Sequence, residues 1–278
     1  MKECIVDALI DTLKLFPYLL ITFLLLEFLE HKLDNKNEQL LRKNKKIGPL
    51  VGSILGALPQ CGFSAMASSL FSSKVITMGT LIAVFLSTSD EMLPIMVGEK
   101  MPIVNILQII GFKVLIGIFI GFIVDLIWKS QKEHEHIHEL CESEHCSCEE
   151  EGIFLSSLKH TLKIVLFILI ANVILNSIIY FIGEETLENI LLKNNIIHYF
   201  LASLIGLIPN CASSVIMTEL YIGNLISIGT LLSGLLTGSG VGILLLFRIN
   251  HNPKENLKIL SIIYFVGVFI GLLVDIFI

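Results

Sequence analysis

The sequence predicts an all-α integral membrane protein made of two inverted-topology repeats, each with three full transmembrane helices and a proline-broken hairpin. Three observations carry this: composition, an internal match at a fixed offset, and the placement of positive charge. The 278 residues are 54% hydrophobic and only 16% charged, with a mean hydropathy of +0.82. That is too apolar for an ordinary soluble domain. Apolar runs cover 4–29, 47–71, 75–97, 103–128, 153–182, 196–222, 225–246 and 257–278. Each can cross a hydrocarbon core of about 30 Å as a helix.

The N-terminus places Lys2 beside Glu3, Asp7 and Asp11 with no short apolar core and small-residue cleavage site, so the first helix is expected to stay. The cysteines divide between apolar segments (Cys61, Cys211), the first helix (Cys4) and a polar middle stretch, unlike a secreted disulfide framework.

Shifted by 150 positions, the chain matches itself without gaps. Ser53, Gly56, Pro59, Cys61 and Ser64 meet Ser203, Gly206, Pro209, Cys211 and Ser214. Farther on, Gly117, Gly121 and Asp125 meet Gly267, Gly271 and Asp275. Apolar bias can align Leu with Ile, but not Pro, Cys, Gly and Asp. Duplication follows, and internal repeats are a common plan of secondary transporters. The units are repeat 1 (1–128), a His/Cys/Glu-rich loop (129–152) and repeat 2 (153–278).

Orientation comes from the runs at 47–71 and 196–222, which are interrupted by Pro59-Gln60-Cys61-Gly62 and Pro209-Asn210-Cys211-Ala212. Proline removes a backbone donor and clashes with the preceding turn, so each run is expected to break centrally into a hairpin that enters and leaves on one side. Each half then crosses an odd number of times, and the halves are inverted. With this topology 14 of the 19 Lys and Arg fall in the cytoplasmic set, as the positive-inside rule requires. The expected location is the cell (inner) membrane, multi-pass, with the central loop cytoplasmic.

Charge inside a membrane helix costs several kcal/mol and marks function by default. Ser87-Thr88-Ser89-Asp90-Glu91 sits in the 75–97 run. Its carboxylates either bind ion or proton, pair structurally with Lys113 of the next helix, or stand where the helix has reached the interface. The second half reads Thr237-Gly238-Ser239-Gly240 there, keeping hydroxyls and losing charge. At the hairpin tips, Gln60, Cys61 and Ser64, and likewise Asn210, Cys211 and Ser214, combine amide, thiol and hydroxyl beside exposed helix ends. The alternative for the cysteines is small filler at a tight crossing. Asp125 and Asp275 are read as interface markers, and Gly117 with Gly121 as a close helix contact.

The middle stretch carries His134, His136, His138, Cys141, His145, Cys146 and Cys148 among glutamates. Imidazole, thiolate and carboxylate at this density suit a borderline or soft metal ion. Their spacing is not that of a zinc finger, so a flexible capture or sensing segment is expected. No phosphate loop, nucleophile elbow or metalloprotease signature occurs, so neither intrinsic ATP drive nor an enzyme is read. No resident cofactor is expected beyond a transported or sensed metal ion. The expected partners are the lipid bilayer and a metal or metalloid ion, with no nucleic acid; a homo-oligomer stays open.

The strings Pro59-Gln60-Cys61-Gly62-Phe63-Ser64, Phe85 to Pro94 and Ile208 to Ser214, with the His/Cys-rich middle, resemble the ten-segment heavy-metal exporter family. Its members carry the labels manganese transporter or arsenic efflux protein. The likeness spans essentially the whole chain. It implies a secondary transporter, an exporter of manganese or another heavy metal. An arsenite or organoarsenical permease using Cys61 and Cys211, or a membrane metal sensor, remain the alternatives.

Overall fold

The computed structural model describes residues 47–58, 61–89, 91–128, 153–182 and 196–277, with isolated positions between 16 and 24. Most of the first apolar run, Pro59, Gln60, Asp90 and the whole 129–152 loop lie outside the described residues, as do the side chains of Cys61 and Cys211.

The described residues are helical, with no strand among them. In the first half these are α1 (Gly48–Gly56), α2 (Cys61–Ser72), α3 (Met78–Ser87), α4 (Met92–Gly98) and α5 (Ile103–Ile127). A helix of 30 residues, α6 (Ile153–Ile182), follows. The second half has α7 (Ile197–Gly206), α8 (Cys211–Ile222), α9 (Ile228–Thr237), α10 (Val241–Ile249) and α11 (Pro253–Phe277). Its boundaries repeat those of α1 to α5 at the 150-residue offset to within a residue. Four stretches are long and apolar enough to cross a membrane: 78–98, 103–127, 228–249 and 253–277.

Glycines set the direction of α1. Gly48 and Gly52 face Thr80, and Gly56 faces Val84 and Ser87, so close that a Cβ on Gly56 would stand 2.6 Å from the Val84 carbonyl oxygen. Helix α1 therefore runs parallel to α3 and stops at the depth of Ser87. Helix α2 returns the chain, and a turn through Lys74, whose φ is +58°, starts α3 level with the beginning of α1. Asn224, at the matching position, has φ +56°, a conformation asparagine tolerates. In the second half Gly206 abuts Gly234 and Thr237 in the same way.

Segments α3 and α4 form one interrupted crossing. Gly79 lies level with Gly121 and Asp125, Ala83 with Gly117, and Thr88 with Lys113, an antiparallel register along α5. At the end of α3 hydroxyls fold back on its carbonyls: Ser87 Oγ donates to Ala83 O at 2.9 Å and Thr88 Oγ1 to Val84 O at 2.8 Å. Thr237 Oγ1 donates likewise to Gly234 O at 2.9 Å. There the chain turns through Gly240 at φ +53°, ψ −142°, a region open only to glycine.

The two halves exchange parts. Helix α2 packs on α10 and α8 on α4, and Ser68 Oγ donates to Gly242 O at 2.7 Å. Lys74 and Glu255 form an ion pair at 3.5 Å, and the Lys258 ammonium stands 4.6 Å above the Trp128 ring. A shared core of Phe85, Leu86, Met92, Met217 and Leu232 joins the halves. Outside it, Leu107, Leu115, Phe119 and Leu126 on α5 and their 150-residue counterparts on α11 are 59% or more exposed. Contiguous apolar surface of this kind belongs against lipid.

Candidate functional site

The starts of the two interrupted helices are fixed by matched carboxylates. Asp125 Oδ1 accepts Gly79 N–H at 2.8 Å and Oδ2 accepts the Thr77 hydroxyl at 2.7 Å. Thr77 in turn caps α3 by accepting Thr80 N–H at 3.1 Å. Asp275 repeats this on α9, accepting Gly229 N–H and Tyr199 OH at 2.8 Å each, and also the Ser227 hydroxyl. Beyond their reading as interface markers, these aspartates have a structural role: negative charge placed at a helix N-terminus is stabilising, and both anchor the interrupted helices.

With those starts fixed, the breaks fall opposite each other near the middle of the two interrupted crossings. A small cavity there, with room for about one water molecule, is lined by Thr88, Ser89, Asn210, Ser213, Ser214, Gly238 and Gly240, with Met92 and Leu235. Four of the sequence-predicted site residues, Thr88, Ser89, Asn210 and Ser214, are thus brought together from different halves. Asn210 is extended at φ −143°, ψ 148° and caps α8 by accepting Ala212 N–H at 3.4 Å.

Lys113 is fully buried and donates through Nζ to the Thr88 carbonyl, at the end of α3. Its counterpart 150 residues on is Ile263, also fully buried. Glu91 is half-buried just before α4. Ser239 is 0% exposed between the two cavity glycines, and its hydroxyl has no hydrogen-bond partner among the described residues. The matching Ser89 hydroxyl donates to Ser87 O at 3.1 Å.

Other predicted residues lie apart from the cavity wall. Ser64 packs against Gly242 on the α2–α10 contact, while Ser87 and Thr237 bond their own helices and face Gly56 and Gly206. Cys61 and Cys211 open α2 and α8. Gln60, Asp90 and the loop residues His134 to Cys148 fall outside the described residues. Among the described residues no three His, Cys, Asp or Glu side chains gather as a metal-binding group. Sequence reasoning missed Ser213, Gly238 and Gly240. Ser213 is matched by Phe63, so the repeat could not flag it. The glycines were visible as the residues flanking Ser239.

Interrupted helices and a hairpin tip meeting around a small cavity with hydroxyl and amide side chains in its wall, inside an apolar shell, are the arrangement of a membrane transport protein. The chain belongs to the family described as "Putative, 10TM heavy-metal exporter", which matches residues 1–186 and 178–278. No curated protein and no solved structure matches the chain significantly.

Proposed function

We propose that the protein is a secondary transporter that exports a metal or metalloid ion across the cell membrane, through a midplane site between the hairpin tips and the two helix breaks. The observation that carries this is the convergence of Thr88, Ser89, Asn210, Ser213 and Ser214 on one buried cavity. Hydroxyl, amide and backbone oxygens in that position can replace part of a hydration shell, and suit a hard or borderline ion such as manganese. Carboxylates at Asp90 and Glu91 would supply charge or proton coupling beside it.

The proposal includes inversion of the two halves. Lys74 closes the hairpin of the first half, and Glu255 lies just beyond the interrupted crossing of the second, yet they pair at 3.5 Å. Lys258 over Trp128 supports the same relation, since α5 ends where α11 begins. With the basic loops inside, the His/Cys loop faces the cytoplasm, where its ligands would collect or sense intracellular ion.

The test is uptake into inverted membrane vesicles of manganese, zinc, cadmium and arsenite, with Asn210→Ala as the comparison. We expect wild-type vesicles to accumulate one of these ions and Asn210→Ala, at equal protein level, to lose at least tenfold in rate. Absence of net movement for all four would overturn the transport reading in favour of a sensor.

A further inference from the structure

At the first break, three groups serve the carboxyl end of α3. Thr88 N–H returns to Val84 O at 3.0 Å, Ser89 Oγ donates to Ser87 O at 3.1 Å, and the ammonium of Lys113 meets the Thr88 carbonyl. The end of a helix carries the negative pole of its dipole and carbonyls that lack an intrahelical partner. Lys113 therefore acts as a cation tethered at the carboxyl end of a broken helix.

The second half keeps the geometry and loses the cation. Helix α9 ends at Thr237 as α3 ends at Ser87, with Gly238 N–H returning to Gly234 O at 3.0 Å. Ile263, which has no donor, stands in the place of Lys113. Ser239, in the place of Ser89, keeps its hydroxyl 0% exposed and without a partner among the described residues. A buried hydroxyl left unpaired costs about 1–3 kcal/mol, so its retention beside a negative helix end asks for a positive ligand. Gly238 and Gly240, on either side, face the cavity, which gives a route of entry.

We propose that the carboxyl end of α9, with the Ser239 hydroxyl and the Gly238 carbonyl oxygen, the counterpart of the Thr88 oxygen that Lys113 meets, is a binding site for a monovalent cation, sodium first, equivalent by pseudo-symmetry to the position of the Lys113 ammonium. The neighbouring Thr237 and Ser239 oxygens already accept Ser239 N–H and Gly242 N–H. Half-helix carboxyl ends and unwound carbonyls hold such ions in transporters of interrupted helices. The site is distinct in ligand from the transported ion, and its occupancy is measurable without any flux.

The experiment uses the full chain purified in detergent, with unfolding followed in choline, sodium, potassium or manganese chloride. Sodium at about ten times its dissociation constant favours the folded form about tenfold, which raises the apparent Tm by roughly 3 °C relative to choline. Ser239→Ala should keep or slightly raise the Tm in choline, because it removes an unpaired buried hydroxyl, and should abolish the sodium increment. Ile263→Lys supplies the missing ammonium, so where it folds it should be insensitive to sodium. No sodium increment in the wild type, an undiminished increment in Ser239→Ala, or a Ser239-dependent increment with manganese alone would each overturn the proposal. A sodium increment that persists in a protein without ion export would sink the transport reading and leave this site standing.

Discussion

Removing the carboxylate of Asp125 should loosen the first interrupted helix at its start. Asp125→Ala deletes the acceptors of Gly79 N–H and of the Thr77 hydroxyl, now at 2.8 and 2.7 Å. A hydrogen bond to a charged group contributes about 1.5–3 kcal/mol, and the two act on one capping turn, so they do not add fully. A combined loss of about 3 kcal/mol is expected, which lowers the apparent Tm by roughly 6–12 °C for a chain of this size. Asp125→Asn keeps one acceptor for Gly79 and should lose about half as much. The assay is the monodisperse fraction surviving a temperature series in detergent, with exposed Glu99→Ala as the control. Asp275→Ala should lose at least as much, because Tyr199 OH is a further donor to it. Asp125→Ala within about 1 °C of the control would refute the anchoring role.

The proposed inversion of the halves predicts that single cysteines at Lys74 and Lys254, in a cysteine-free background, are protected from an impermeant thiol reagent in intact cells, while those at Lys100 and Asn224 are labelled. Labelling of Lys74 and Asn224 alike would restore parallel halves. Replacing Lys113 by Met should lower protein level if the ammonium is paired with Asp90, and the Asp90→Asn, Lys113→Met double variant should recover it, because a lone buried charge is worse than none. Recovered level without transport places the pair in the mechanism; recovered transport makes it structural. A peptide spanning Gln131 to Gly152 should bind zinc, cadmium or Cu(I) under reducing conditions with proton release, and calorimetry showing no binding to any of them would leave it a solvated linker.

The breaks were legible because they are built from residues that apolar bias does not supply. Proline and glycine matched at 150 residues marked both hairpins, while the Ser/Thr runs flagged candidate site residues without marking that α3 and α9 end there. Much of the cavity was legible for the same reason: Thr88, Ser89, Asn210 and Ser214 are polar residues in apolar runs. The work of Asp125 was not, because its partners at 77 and 79 lie some 46 residues away and nothing local distinguishes a capping carboxylate from one at the membrane boundary. The exchange of α2 and α8 between halves was equally hidden. Apolar faces carry no address, and only packing shows which helix each face meets.

That exchange has a consequence for synthesis. Ser68 must wait for Gly242, 174 residues later in the chain, and translation at about 5–20 residues per second makes the delay roughly 9–35 s. During that interval α2 has α1 and α3 beside it but not α10, which carries the acceptor of Ser68. The local backbone serves three hydroxyls here: Ser68 Oγ reaches Ser64 O at 3.0 Å, Ser69 Oγ reaches Ala65 O at 3.3 Å, and Ser73 Oγ, just past α2, reaches Ser69 O at 2.7 Å. Serine, whose hydroxyl can bond back one turn and later share that bond with a newcomer, lets a polar seam persist in lipid until its partner has been made.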